Sequence, residues 1–179
     1  GGCAWRELDL QAASKHKLQI VLDTLTRKGI PLPKDIPLVS DPALGYRHRV
    51  RLHAAHGVIG FEQVGSNNIT PFSECSVARP GLVKRIQQIR VPKSLHAEVD
   101  LVHGDDDRVA CVIRLMKAKS DRRGKGNDAE REATDLLRDL VSRGVLQGGQ
   151  VFAVSGAMVR AFGDPIVVMT HPTGGDSGL

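Results

Sequence analysis

Two sets of side chains in this sequence could do chemistry. The first is a row of cations, Arg47, His48, Arg49 and Arg51, interleaved with Val50, Leu52 and Ala54. Period-two alternation is the mark of a half-buried strand, so Arg47, Arg49, Arg51 and His53 share one face and the apolar residues share the other. Side chains on one face of a strand stand about 7 Å apart, close to the phosphate spacing of a nucleic-acid strand. Such a row is an electrostatic track for a polyanion, although the same pattern also suits a solvated face of a half-exposed sheet. Aromatic residues are 3% of the chain, which argues against a platform that stacks several unpaired bases and for contacts with phosphate and shape.

The second set is Cys3 and Cys75, each beside turn-forming residues, Gly1-Gly2 before one and Ser73-Glu74 before the other. Loop thiolates can ligate metal, but a closed zinc or iron-sulfur centre normally needs about four ligands. On spacing alone they read as two ordinary cysteines. The third cysteine, Cys111, falls by strand alternation with Val109, Ile113 and Leu115 on what should be a buried face, and reads as inert core. Asp105 to Asp107 read as a solvated turn rather than a cation site. No Gly-rich loop follows a strand and opens a helix, so no dinucleotide, adenosylmethionine or phosphate-loop fingerprint is present.

These groups sit in a chain of 179 residues, 41% apolar and 25% charged, enough to bury one ordinary core or two small ones. A formal charge of +5 and a pI near 9.4 favour a polyanionic partner. The longest apolar runs, Val109 to Ile113 and Pro165 to Met169, are far shorter than the roughly 20 residues that cross a bilayer. Three cysteines do not make the dense framework of a secreted disulfide domain. A cytoplasmic chain is expected, with no membrane and no protein partner. Its opening Gly-Gly-Cys and its Gly-rich end, Thr173 to Leu179, are expected of a piece of a longer protein.

The elements that must position these groups follow from periodicity. Residues 8 to 28 read as a helix, with Leu18, Val21, Leu22 and Leu25 on one face and Gly29 as the stop. Ile30 to Gly45 holds four prolines and reads as a linker or extended crossover. The chain divides on this reading into 1–36 and 37–179. From Tyr46 the basic strand begins, His56-Gly57 turns it, Val58 to Gln63 returns, and a second turn leads to Ile69 to Phe72. Pro80-Gly81 leads into a short helix with Leu82, Ile86 and Ile89 inward and Lys84, Arg85 and Arg90 outward. Strands are predicted at Glu98 to His103 and Arg108 to Leu115, then a charged loop over Lys117 to Lys125. Asn127 can cap the next helix, whose stripe is Ala129, Ala133, Leu136, Leu137, Leu140 and Val141. Val151 to Ser155, Met158 to Ala161 and Ile166 to His171 read as closing strands. The fold class is α+β, a largely antiparallel sheet with flanking helices, preceded by an N-terminal helix.

Taken in order, Gly1-Gly2-Cys3, Tyr46-Arg47-His48-Arg49-Val50-Arg51, Gly60-Phe61, Ser66 with Ile69, and Glu74-Cys75-Ser76 resemble the RNA uracil-5-methyltransferase family, bacterial enzymes acting on 23S ribosomal RNA or transfer RNA. The resemblance is close to about Arg90. In that family a Cys-Gly-x-Cys segment, after an earlier Cys, supplies the second and third ligands of a 4Fe-4S cluster, and a later Cys before a helix supplies the fourth. The resemblance therefore implies that Cys3 and Cys75 are two of four cluster ligands and that residues 1–36 carry part of the cluster loop. Residues 37–179 would form the central RNA-contacting domain.

Family members carry a further domain that binds S-adenosylmethionine, where a cysteine thiolate attacks C6 of uracil and activates C5 towards the methyl donor. Nothing in this sequence matches the Asp-Pro-Pro-Arg segment around that nucleophile, and the N-terminal oligonucleotide-binding barrel of many members is also missing. The chain alone is therefore expected to be inactive, with S-adenosylmethionine belonging to the parent protein only. Arg47, Arg49 and Arg51 are the expected RNA contacts, followed by Lys84 and Arg85. The alternative expectation is a stand-alone RNA-binding or adaptor domain without enzyme activity.

Overall fold

The computed structural model describes residues 8–32, 36–38, 44–66, 68–104, 106–117 and 126–164. The chain divides into two compact units, Gly1–Ala43 and Leu44–Leu179. In the first, helix α1 runs Leu10–Arg27. Asp9 caps it, accepting a hydrogen bond from the Ala12 amide at 2.8 Å. Gly29, at φ +67°, ends it where the Ile30 amide reaches back to the Leu25 carbonyl. Ala13 is its buried residue, whereas Leu18, Leu22 and Leu25 of the expected stripe are half-buried and Val21 is exposed. Cys3 lies outside the described residues, as do the expected strand Ile166 to His171 and most of the charged loop, 118–125.

The second unit contains strands β1 (Arg49–Ala55), β2 (Val58–Glu62) and β3 (Ile69–Pro71), helix α2 (Pro80–Ile86), strands β4 (Ala97–His103) and β5 (Val109–Leu115), helix α3 (Gly126–Ser142), and strands β6 (Gly148–Phe152) and β7 (Met158–Gly163). They form one sheet in the order β3-β2-β1-β4-β5-β6-β7. Every pairing is antiparallel except β5 with β6, the pair bridged by α3. A parallel pair needs a long crossover, and here the amphipathic helix provides it. The α+β expectation, with a largely antiparallel sheet, holds.

One face of the sheet makes the core. Val50, Leu52 and Ala54 of β1 alternate inward, beside Ala97, Val99 and Leu101 of β4 and Cys111, Ile113 and Leu115 of β5. Leu82 and Ile86 of α2 and Ala133, Leu137 and Leu140 of α3 close over them. Gly149 lets β6 lie close against β5, because a Cβ there would collide with the Cys111 carbonyl oxygen, with Leu137 Cδ1 of α3 next at 2.8 Å.

Three sequence expectations shift. The basic strand begins at Arg49 rather than Tyr46, because Arg47 pairs instead with the segment before α2: its amide donates to the Val77 carbonyl at 2.7 Å and its carbonyl accepts from the Arg79 amide. The strand expected at Val151 to Ser155 starts earlier, at Gly148, and gives way to a turn before Ser155. Two consecutive glycines hide it from propensity, although neighbouring backbone requires both: a Cβ would collide with the Asp164 carbonyl oxygen at position 148 and with that of Cys111 at position 149. Asn127 lies inside α3, which opens at Gly126, so it does not occupy the flanking cap position.

Candidate nucleic-acid interface

The face of the sheet opposite the core carries the predicted basic row. Arg49, Arg51 and His53 of β1 point to the side away from Leu52, as alternation requires. In register, Arg49 faces Val102, Arg51 faces Asp100 and His53 faces Glu98 on β4. On the far side of β4, Asp100 faces Val112 and Glu98 faces Arg114 on β5. Asp100 thus stands in the middle of this face, flanked by two strands that each bring arginine to it.

Its side chain is fully buried, a position an aspartate tolerates only when paired. The pairing is dense. Arg49 grips it with both prongs, Nη2 to Oδ2 at 2.9 Å and Nε to Oδ1 at 3.2 Å. Arg51 repeats the fork at longer range, 3.3 and 3.4 Å. Arg114 donates from Nη1 to Oδ2 at 2.7 Å and also reaches Glu98 Oε1 at 3.3 Å. Burial alone would raise the Asp100 pKa, but the bonds from Arg49, Arg114 and Arg51 outweigh it and hold the carboxyl below its ordinary value. Three guanidinium groups and two carboxylates leave the cluster one positive charge in excess. The arginine side chains remain between a quarter and a half exposed, at 44%, 38% and 26% for Arg49, Arg51 and Arg114. His53 extends the row towards β2, with Nε2 at 3.7 Å from Glu62 Oε2.

The remaining predicted cations sit elsewhere. Arg47 is half-buried just before β1, its backbone tied to the segment entering α2. Lys84 and Arg85 belong to α2, which covers the core face, so they lie on the other side of the sheet from Arg49 and Arg51. Lys84 is exposed. Arg85 is 19% exposed, its Nη2 bonded to the Asp107 carbonyl at 2.9 Å and its Nε buried without a partner. Asp107 also receives His103 Nε2 at 2.8 Å. A Cβ at position 81 would collide with the Asp107 and His103 side chains, at 2.5 and 2.6 Å, so Gly81 lets α2 approach this knot.

Sequence reasoning missed Asp100, Glu98 and Arg114. A signal was available: Asp is depleted from strands, and Asp100 interrupts the apolar run Val99 to Val102.

Cys75 is half-buried against the edge of the core, and its carbonyl accepts the Ala78 amide at 3.2 Å as the chain turns towards α2. It can offer one thiolate. Cys111, the other free thiol among the described residues, lies in the core, where burial drives its pKa far up, as expected of an inert cysteine. Among the described residues no group of three or more His, Cys, Asp or Glu could hold a metal ion. Those residues do not by themselves close an iron-sulfur site. No described helix is long and apolar enough to cross a membrane.

No family model matches the chain. Over 127 residues, 65% of the chain, it is 30% identical to the 23S rRNA (uracil(1939)-C(5))-methyltransferase RlmD of Halomonas elongata, of which this covers 26%. Over 95 residues it is 35% identical to the protein of the same name from Chromohalobacter salexigens, covering 50% of this chain and 20% of that one. The chain is a relative of the RNA uracil-5-methyltransferases. The matched part spans about a fifth to a quarter of these two relatives. A crystal structure of the Pyrococcus abyssi tRNA (uracil-54, C5)-methyltransferase with S-adenosyl-L-homocysteine superposes with a TM-score of 0.53 over 92% of this chain and 41% of that one. At 17% identity, that likeness speaks for the fold alone.

Proposed function

We propose that this chain is the RNA-contacting, non-catalytic part of an S-adenosylmethionine-dependent RNA uracil-5-methyltransferase of the cytoplasm, acting on ribosomal or transfer RNA. The observation that carries the reading is a positively charged sheet face, Arg49 and Arg51 with Arg47 beside them, in a chain whose relatives are named as 23S rRNA uracil methyltransferases. The arginine heads are partly exposed and planar, suited to paired hydrogen bonds with phosphate oxygens. Such contacts position an RNA backbone without reading its sequence. Base selection and methyl transfer then belong to the rest of the parent protein, where S-adenosylmethionine binds.

Residues 37–179 are assigned to RNA contact and residues 1–36 to one side of a 4Fe-4S loop. In that loop Cys3 and Cys75 would supply two thiolate ligands, and the remaining two would come from outside this chain. Such a cluster ties distant loops together, so its proposed role is structural. In the full-length parent, Cys75→Ala is expected to lower bound iron and thermal stability together. Retention of both would remove Cys75 from the ligand set.

The RNA assignment is tested by replacing Arg47, Arg49 and Arg51 together with Gln and titrating a uridine-rich single strand and a uridine-containing hairpin over a salt series. Affinity should fall for both RNAs. On the single strand the salt slope should flatten by about 0.7 for each phosphate that the variant no longer neutralises. Unchanged affinity and slope would return this face to the status of a solvated surface.

A further inference from the structure

We infer that Asp100 is a positioning residue that draws Arg49, Arg51 and Arg114, on the two strands flanking its own, into one phosphate-binding locus, and that Arg114 belongs to the RNA-contacting set. The inference rests on the proposed RNA-contacting role of this face and changes its layout. Extended independently from β1, Arg49 and Arg51 would present guanidinium groups about 7 Å apart, one per phosphate. Instead both forks close on the same carboxylate, with Nη2 of each within 3.4 Å of Oδ2, and Arg114 arrives on that oxygen from β5 at 2.7 Å.

A structural role alone does not account for this arrangement. One bidentate arginine neutralises a buried carboxylate, yet two forks and a third arginine converge on Asp100, and Glu98 offsets only one of the two surplus charges. Like charges held this close repel one another, and the buried Asp100 is what lets them converge. Arg49 and Arg114 each have more N–H donors than these carboxylate contacts use, and all three side chains keep solvent access. Spare donors and one net positive charge at a single point suit a singly charged phosphodiester. Asp100 is fully buried, so it acts on such a ligand through the arginines.

The test is Asp100→Asn in the full chain, titrated with the same two RNAs over salt, with a thermal melt to choose a temperature at which the variant is folded. The substitution removes a negative charge, so a simple electrostatic track predicts tighter binding and a steeper salt slope. Positioning predicts the reverse, roughly tenfold weaker binding with a flatter slope. It also predicts no further weakening when Asp100→Asn is added to Arg49→Gln, Arg51→Gln and Arg114→Gln together, since Asp100 then has no arginine left to position. A purely structural Asp100 would lower the melting temperature and leave the slope alone, which overturns the inference.

If Asp100→Asn does not fold, Arg114→Gln decides. A shared locus makes its drop in affinity comparable to that of Arg49→Gln, and a track confined to β1 makes it silent. Tighter binding by Asp100→Asn, or a silent Arg114→Gln, overturns the inference while the RNA-contact reading stands. If the triple Arg47, Arg49 and Arg51 variant also binds normally, the RNA-contact reading itself falls.

Discussion

The two faces of the seven-stranded sheet come from the same strands and are held by different physics. Beneath α2 and α3, Leu52, Val99, Leu101, Cys111 and Ile113 are buried by a force that has no direction, and any apolar side chain of the right volume serves. On the opposite face Asp100 is buried beside Val112, and its burial is tolerable only because donors arrive at set angles from residues 51 and 14 positions away in sequence. A core position is defined by what the residue is; Asp100 is defined by what its partners are.

Breaking the first face should have the larger effect on stability. Leu101→Ala removes a fully buried side chain and should cost about 2–5 kcal/mol in a urea titration. Arg49→Gln, on a half-exposed group that leaves Asp100 two other arginines, should cost below about 1 kcal/mol. Equal costs would show that the polar face is as deeply structural as the core, and the contrast would collapse.

The second expected effect is a pH dependence confined to the polar face. Asp100 has a pKa held below its ordinary value of 3.8 because burial, which opposes ionisation, is outweighed by Arg49, Arg114 and Arg51. A carboxylate with a depressed folded pKa contributes stability that is fully present above the unfolded value and is lost as pH falls through the folded one. The stability difference between the parent chain and Asp100→Asn should therefore be constant near neutrality and shrink once pH drops below about 4. A difference that persists into strong acid would mean that the Asp100 ion pairs contribute nothing to the fold.

The same division explains what was legible in the sequence. Alternation placed Val50, Leu52 and Ala54 inward and Arg49 and Arg51 outward, and grouped Cys111 with the buried apolar residues, because burial is a property of single positions and repeats with the strand. The α3 stripe was legible for the same reason. What the arginines hold was not legible, since pairing Arg51 with Asp100 and Asp100 with Val112 needs the strand order and register. Position 100 carried only the warning that an aspartate had no place in an apolar strand. Gly148 and Gly149 misled in the other direction, poor strand formers retained in β6 where the Asp164 and Cys111 carbonyl oxygens leave no room for a Cβ. Arg85 was read as an outward cation because helical spacing cannot show a partner on another element.

Arg85 and Lys84 supply the sharpest check of the comparison, with Lys84 the smallest expected effect. The Arg85 side chain anchors α2 to the turn after β4 through the Asp107 carbonyl, while Lys84 beside it points into solvent. Both lie on the helical side of the sheet, away from the Asp100 cluster. Arg85→Gln should lower stability by about 1 kcal/mol, the worth of one typical hydrogen bond, with RNA affinity little changed. Lys84→Gln should shift neither by more than a few tenths of a kcal/mol, as expected for a lone exposed charge. The two substitutions remove the same formal charge, so a long-range field acting over the whole molecule would weaken RNA binding equally in both, and as much as Arg49→Gln does. Weakening confined to Arg49→Gln, Arg51→Gln and Arg114→Gln would instead locate RNA contact on one face of the sheet.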